Sequence, residues 1–163
     1  MSASGTILIA DDEERILKAI ARALREDGHD VVETTSGVQA RRLVSERPFD
    51  VLVVDNLMPD LTGLDLIRDL VQQTAPGERP QLLLMTAHAT VESAIEAMKL
   101  GALDYLQKPF DIDELLVVVR HAVELQRLSH QHRYLLSERE EDFDHYGIVG
   151  RSRAVQDVIR TMP

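Results

Sequence analysis

Three acidic residues and one lysine in this chain each follow a short apolar run, a position from which they could act together. Asp55 comes directly after four apolar residues and precedes a Met-Pro turn. Asp11 and Asp12 follow a second apolar run, and Lys108 follows a third. If those runs are neighbouring parallel strands, their carboxyl ends meet at one edge of a sheet. Three carboxylates and one amine would then share a site.

The chemistry of such a cluster is limited by its charge. Neighbouring carboxylates repel one another, so the cluster is stable at neutral pH only if it shares protons or binds a cation. Oxygen ligands with room for water suit Mg²⁺, and a carboxylate is a competent nucleophile toward phosphorus. We therefore interpret Asp55 as a phosphoryl acceptor and Asp11 and Asp12 as metal ligands. Lys108 is the counter-charge for the carboxylates or the phosphoryl group.

Each of these residues also has an ordinary structural interpretation. Asp11 and Asp12 could cap the helix that begins near Glu13. Asp55 could be a turn residue before Met-Pro, and Lys108 could be a solvated surface residue. Their joint placement at the ends of three predicted strands favours the functional interpretation.

Thr86 and Tyr105 are candidates for a switch that responds to the phosphoryl group. Thr86 ends the predicted fourth strand and can offer its hydroxyl to a phosphoryl oxygen. Tyr105 lies in the predicted fifth strand and could move between exposed and buried positions. In the alternative interpretation, Thr86 caps the following turn and Tyr105 packs in the core with its hydroxyl at the rim.

Five short aliphatic runs predict the strands that must position these side chains: residues 6–10, 30–34, 51–54, 81–85 and 103–106. Stretches with helical spacing lie between the runs, and one of them contains Val91, Ala94, Ile95 and Met98. The strand runs are continuously apolar instead of alternating, so both faces of the sheet should be covered. Strand followed by helix, five times over, predicts an α/β fold with a doubly wound parallel sheet.

Composition limits the classes of partner. The 163 residues suit one domain plus an appendage, and the net charge of −10 should repel nucleic acid and anionic membranes. The start of the chain has neither the basic residues nor the apolar stretch of a signal peptide. No apolar run approaches the roughly 18 residues of a membrane span. We expect a cytoplasmic protein with no membrane partner.

The fifth predicted helix starts near residues 111–113 and meets no Gly or Pro until Gly147. Its later part carries residues spaced mostly by three and four positions: Val118, Leu125, Leu128, His132 and Leu135. This spacing is typical of the seam of a short coiled coil, which would form a dimer. An exposed helical or disordered linker is the alternative. The predicted organisation is a flexible N-terminus, a full domain, a helical linker and the start of a truncated second domain, over residues 1–5, 6–125, 126–144 and 145–163.

Together these residues resemble the receiver domain of two-component response regulators, over approximately residues 5–125. The matching features, in chain order, are Asp11-Asp12, Asp55 with Met58-Pro59 and Gly63, Thr86-Ala87, Tyr105 and Lys108-Pro109-Phe110. The resemblance implies a flavodoxin-like sheet of order 2-1-3-4-5 and Mg²⁺-dependent phosphoryl transfer from a histidine kinase to Asp55. It implies that the backbone carbonyl of Leu57 binds the metal and that the Lys108–Pro109 peptide bond is cis. It also implies rearrangement of the face formed by the fourth helix, fifth strand and fifth helix, through which the protein could dimerise.

Residues 146–156 resemble the start of the AAA+ ATPase domain of NtrC-type, sigma-54-dependent activators. No phosphate-binding Gly-x-x-x-x-Gly-Lys-Ser/Thr motif occurs in the chain, so ATP hydrolysis cannot reside in these residues. Contact with DNA and sigma-54 RNA polymerase is likewise expected only through missing domains. The chain itself is expected to accept phosphate and not to be an enzyme.

The surroundings of the acceptor depart from the family's usual pattern. Asn56 stands where the family usually has an apolar residue. The side chain of Leu57, next along the chain, affects the access of hydrolytic water, and His88 lies at the same mouth of the site. Our hypothesis is that Leu57 and His88 set the lifetime of the phosphoryl group.

Two other functions compete with the phosphorylated receiver. A pseudo-receiver would be a protein-interaction and dimerisation module that works without phosphorylation, but such a module has no need of the acid cluster, Thr86 or Lys108. A phosphatase with an aspartate nucleophile would normally need a second acid near Asp55 as general acid. The Asn56-Leu57 pair supplies none.

Overall fold

The computed structural model of the chain describes residues 4–75 and 77–145, with side chains through residue 131. The strands are β1 (Thr6–Ala10), β2 (Asp30–Thr34), β3 (Val51–Asp55), β4 (Gln81–Thr86) and β5 (Asp104–Gln107). The helices are α1 (Glu14–Glu26), α2 (Gly37–Glu46), α3 (Gly63–Gln73), α4 (Val91–Leu100) and α5 (Ile112–His145). The predicted α/β order is confirmed, and the ends of β3, β4 and β5 differ from prediction by about one residue.

The five strands form one parallel sheet in the order β2-β1-β3-β4-β5, which confirms the predicted doubly wound topology. Successive residues of a strand point to opposite faces of the sheet. Val51 and Val53 of β3 belong to a core with α1 and α5, whereas Leu52 and Val54 belong to a core with α2, α3 and α4. Both faces are therefore covered, which explains why the three inner strands, β1, β3 and β4, each carry four consecutive apolar residues.

The apolar residues of α4 face solvent to a degree that their spacing did not predict. Val91, Ile95 and Met98 are 76%, 49% and 50% exposed, and the buried residue of this helix is Ala97. Helical spacing usually marks the face that packs on the core. Here α4 packs through a small alanine, so most of its apolar stripe remains available as an interaction surface.

The fifth helix continues through His145, as the predicted extended helix requires. The structure divides into two units after Leu128, within α5, and the sheet with α1 to α4 belongs to the first. The side chains of His132 and Leu135, and residues 146–163, lie outside the described part of the chain. The coiled coil, the second domain and the domain boundaries therefore stay predictions. No helix among the described residues combines the length and apolarity needed to span a bilayer.

The segment predicted as a flexible N-terminus includes two described residues, and both make contacts. The Ser4 hydroxyl donates a hydrogen bond to the Gly28 carbonyl at 2.7 Å. Gly5 is buried, and its N–H donates to His29 Nδ1 at 3.1 Å. Ser4 and Gly5 are thus held against the segment before β2, and Gly5 leads directly into the strand that ends beside Asp11.

Candidate functional site

The three predicted acids meet at the carboxyl edge of the sheet. Asp11 directly follows β1 and Asp55 ends β3, and these strands are hydrogen-bonded neighbours. Carboxylate oxygens of Asp11, Asp12 and Asp55 all lie within 4.8 Å of one another. Asp11 and Asp55 are buried while Asp12 is exposed, so the cluster has one open side. This set of hard oxygen donors with access to water suits Mg²⁺.

Lys108, which follows β5, lies against the acids. Its Nζ is 2.6 Å from Asp11 Oδ2 and 3.3 Å from Asp55 Oδ2. Burial alone would lower the pKa of Lys108, but the hydrogen bond and charge of Asp11, together with those of Asp55, outweigh burial and raise it. The amine is therefore a fixed positive charge. The Lys108–Pro109 peptide bond is cis, as predicted.

Asp55 is held where its negative charge is disfavoured. Burial raises the pKa of Asp55, and the neighbouring charge of Asp11 raises it further. Lys108 and the Leu57 N–H, which donates to Asp55 Oδ1 at 3.3 Å, favour the ionised form without reversing that shift. A cation among the acids would relieve the repulsion.

One of the ordinary structural interpretations holds beside the functional one: Asp55 Oδ1 accepts a hydrogen bond from the Leu57 N–H in the turn that follows β3. The interpretation of Asp11 as a helix cap is not borne out, because the N-cap residue of α1 is Glu13. Asp11 Oδ1 accepts from the N–H of Glu13 itself at 2.9 Å, just ahead of the helix, while Asp11 Oδ2 contacts Lys108. The interpretation of Lys108 as a solvated surface residue is wrong, because its side chain is only 9% exposed.

Thr86 and Tyr105 occupy different surroundings. Thr86 is the buried last residue of β4, and its Oγ1 accepts a hydrogen bond from the His88 N–H at 3.2 Å. The Tyr105 hydroxyl lies 3.0 Å from Ser93 Oγ in the first turn of α4, where Ser93 and Thr90 form a reciprocal N-terminal cap. Sequence reasoning did not single out Ser93, because nothing in its local pattern shows which strand residue it contacts.

The residues that follow Asp55 are held at the start of α3. Asn56 Oδ1 accepts a hydrogen bond from the Leu64 N–H at 3.1 Å, which gives this departure from the family's pattern a structural role. A Cβ added to Gly63 would lie 2.9 Å from the Asp55 carbonyl oxygen, so this position has no room for a side chain. Leu57 is 48% exposed and His88 is also exposed.

Known proteins with similar sequences belong to the same kind of domain. Residues 7–120 match the response regulator receiver domain family. Regulatory protein AtoC of Escherichia coli K12 is 32% identical over 160 residues, which cover 98% of this chain and 34% of that protein. The DNA-binding transcriptional regulator NtrC of Azospirillum brasilense is 35% identical over 162 residues, which cover 99% and 32% respectively. This chain therefore spans about a third of the length of these curated relatives.

Solved structures share the architecture. The receiver domain of Francisella response regulator 1452 superposes with a TM-score of 0.69 at 33% identity, covering 74% of this chain and 97% of that one. NtrX from Brucella abortus in complex with ADP gives a TM-score of 0.72 at 27% identity, covering 82% of this chain and 30% of that one. The matched family segment contains the acid cluster, Thr86, Tyr105 and Lys108. The chain belongs to the response regulator receiver domain family.

Proposed function

We propose that this chain accepts a phosphoryl group on Asp55 from a sensor histidine kinase, in a reaction that requires Mg²⁺. Phosphorylation of Asp55 then controls dimerisation and the activity of an NtrC-type, sigma-54-dependent transcription activator. The observation that carries the proposal is the meeting of Asp11, Asp12 and Asp55 within 4.8 Å, with the Lys108 amine 3.3 Å from Asp55. Family membership and the names of the longer relatives support the kinase partner and the activator.

In this reaction an ionised Asp55 oxygen attacks the phosphorus of a phosphohistidine. The phosphorus–nitrogen bond breaks, its electron pair remains on the imidazole, and an aspartyl phosphate forms. Lys108 offsets negative charge on the acceptor and on the transferring oxygens. When bound, Mg²⁺ would be held by Asp11, Asp12, Asp55 and the Leu57 carbonyl, and would neutralise phosphoryl and carboxylate charge.

Thr86 and Tyr105 connect the acceptor to α4. The buried Thr86 hydroxyl donates to a phosphoryl oxygen, and Tyr105 exchanges its contact with Ser93 for an inward position. A hydrogen bond to a charged group contributes about 1.5–3 kcal/mol. That is a large share of the roughly 5.5 kcal/mol that converts a mostly inactive population into a mostly active one. The Lys108 ion pair with the phosphoryl group supplies more.

The dimer forms through the linker helix, through the face of α4, β5 and α5, or through both. The exposed Val91, Ile95 and Met98 of α4 support the second surface. Sedimentation with and without beryllofluoride, a phosphoryl mimic, measures the mass in each state. An identical mass in both states would contradict a phosphorylation-dependent dimer.

The chain is not an enzyme in its own right under this proposal. ATP hydrolysis and contact with DNA and sigma-54 RNA polymerase belong to domains outside these residues. The net charge of −10 supports this division, because the chain alone should repel nucleic acid. The histidine kinase donates its phosphoryl group on the cytoplasmic side, so the proposed location is the cytoplasm.

Incubation with Mg²⁺ and acetyl phosphate tests the function. We expect a stable phosphoryl label on Asp55, detected by intact mass and peptide mapping, and no label when EDTA removes the metal. Absence of any label would favour the pseudo-receiver. Continuous consumption of acetyl phosphate without stable label would favour a phosphatase.

Exchange of Leu57 or His88 is expected to change the lifetime of the label. Both residues are exposed, and their N–H groups bond to Asp55 and Thr86 respectively, so their side chains can control access of hydrolytic water. Leu57→Ala and His88→Ala are phosphorylated, the donor is removed, and loss of label is followed with time. Arg22→Ala is the control, because the Arg22 side chain is exposed on α1 and pairs only with Glu26 among the residues described. Decay at the wild-type rate in both site variants would contradict the role of these side chains.

A further inference from the structure

One carboxylate, that of Asp60, attaches the loop between β3 and α3 to the start of α2. Asp60 Oδ2 accepts hydrogen bonds from the Ser36 hydroxyl at 2.6 Å and the Val38 N–H at 3.1 Å. Its Oδ1 accepts from the Gly37 N–H at 3.1 Å. The first N–H groups of a helix have no acceptor within the helix. A side chain from the loop after Asp55 thus supplies acceptors to the first turn of α2.

A second contact holds the same two segments together through the backbone. A Cβ added to Gly37 would lie 2.6 Å from the Leu61 carbonyl oxygen and 3.2 Å from Met58 Cε. Because the nearest atom belongs to the backbone, a side chain at Gly37 would require the loop to move. One polar contact and one steric contact therefore fix the loop against α2.

The start of α2 is also connected to the other half of the acid cluster. Thr34 Oγ1 accepts from the Ser36 N–H at 3.2 Å, and the Thr34 carbonyl accepts from the Asp11 N–H at 3.2 Å. On the loop side, the Leu57 N–H donates to Asp55. Hydrogen bonds thus lead from the start of α2 to Asp11, while Asp60 ties the same helix end to the loop that follows Asp55.

The Asp60 carboxylate is well suited to a permanent contact. The hydrogen bonds from the Ser36 hydroxyl and the Val38 N–H lower the pKa of Asp60 to about 2. The partial positive charge of a helix N-terminus also favours an anion. Asp60 stays ionised at any pH at which the domain would work, so this contact does not switch on and off with protons.

We infer that Asp60 is a positioning residue for the metal site, because by tying the β3–α3 loop to α2 it holds the Leu57 backbone in place beside Asp55. The inference rests on the proposed function, since a fixed Leu57 backbone matters for binding only if this site takes Mg²⁺. Asp60 does not belong to the acid group of the metal site and acts through the loop.

Asp60→Asn tests this role. The amide keeps one acceptor oxygen, so in either orientation its NH₂ group faces a backbone N–H that the carboxylate now satisfies, that of Gly37 or that of Val38. We expect the affinity for Mg²⁺, measured by calorimetric titration, to fall by about tenfold, at the lower end of the effect of removing groups that orient metal ligands. Labelling by acetyl phosphate should need correspondingly more Mg²⁺ and should approach the wild-type rate at saturation. A purely structural role would leave this Mg²⁺ dependence unchanged.

Asp50→Asn is the matched control. Asp50 Oδ2 accepts from the Thr6 N–H at 2.8 Å at the opposite edge of the sheet, so the same chemical change there should leave Mg²⁺ affinity unchanged. Gly37→Ala disturbs the loop through the separate backbone contact and should weaken Mg²⁺ binding in the same direction. Urea unfolding establishes that each protein is folded at the titration temperature.

Three results have distinct meanings. Wild-type Mg²⁺ affinity in Asp60→Asn and Gly37→Ala, with a wild-type protein that labels on Asp55, would overturn the inference and leave the proposed function intact. Equal losses in Asp50→Asn and Asp60→Asn would also overturn it, because the effect would then follow general stability. A wild-type protein that neither binds Mg²⁺ nor becomes labelled would overturn the proposed function first.

Discussion

Asp55→Asn is expected to abolish phosphoryl labelling and, in the absence of metal, to raise the free energy of unfolding at neutral pH. An amide has no anionic oxygen with which to attack phosphorus, so the acceptor is lost. The same change removes one of three clustered negative charges while keeping nearly the same shape. The same variant should therefore lose the ability to accept a phosphoryl group and gain stability.

The sign of the stability change follows from the pKa of Asp55, which burial and the charge of Asp11 raise. A carboxyl group whose pKa is higher in the folded state than in the unfolded state disfavours folding once it ionises. This penalty is absent below the unfolded pKa and is fully present above the folded pKa. The gain in the free energy of unfolding from Asp55→Asn should accordingly be greatest near pH 7. It should shrink as the pH falls toward the ordinary aspartate pKa of about 3.9.

Urea unfolding in EDTA at several pH values measures the stability, and acetyl phosphate with Mg²⁺ measures the labelling. Asp50→Asn is the control, because Asp50 immediately precedes the strand that Asp55 ends. It should keep the label and show no gain in stability, since it lies away from the acid cluster. A labelled Asp55→Asn protein, or one less stable than wild type at pH 7, would contradict the assignment.

Lys108→Met is expected to lower the free energy of unfolding by about 3–5 kcal/mol without metal, the usual effect of removing one partner of a buried ion pair. Asp11 and Asp55 are buried, and the Lys108 amine contacts both at 2.6 and 3.3 Å. Methionine approximately preserves the length of the side chain but leaves both carboxylates without their cation. Added Mg²⁺ should recover part of the loss, because a ligand that binds the folded state stabilises it.

Lys18→Met provides the comparison for this variant. Lys18 pairs with Glu14 at 3.4 Å on the surface of α1, where both side chains are mostly exposed. Such pairs contribute about 0.3–0.5 kcal/mol. Urea unfolding of the two variants with and without Mg²⁺ separates a buried counter-charge from an ordinary surface lysine. Equal and small effects in both would show that the acids do not depend on Lys108.

The sheet and the acid cluster could be predicted because both depend on signals local to the sequence. Continuous apolar runs identify buried parallel strands, and residues directly after such runs emerge at one edge. Asp11 and Asp55 therefore had a predictable location before any contact was known. The sheet order brought their strands side by side, and Lys108 reached them from the end of the fifth strand.

Other features depend on contacts that local patterns do not encode. Ile95 has the spacing of a residue that packs inward, and only the packed fold shows that Ala97 makes the buried contact. Asp60, after a proline, has the pattern of a turn residue, yet its partners lie at the start of α2. Ser93 similarly meets Tyr105 across the gap between helix and strand. Each contact depends on how separate elements pack.

Gly63 lies so close to the Asp55 carbonyl that even a methyl group would meet backbone atoms. In a library of single substitutions selected for signalling, this position should tolerate as little change as the phosphoryl acceptor. Gly37 should behave similarly, because its nearest neighbour is the Leu61 carbonyl. The mutational sensitivity of this domain would then be high at two residues that contribute no reactive group. Because these two glycines have no side chain, the loop between β3 and α3 can pack closely against the starts of α2 and α3.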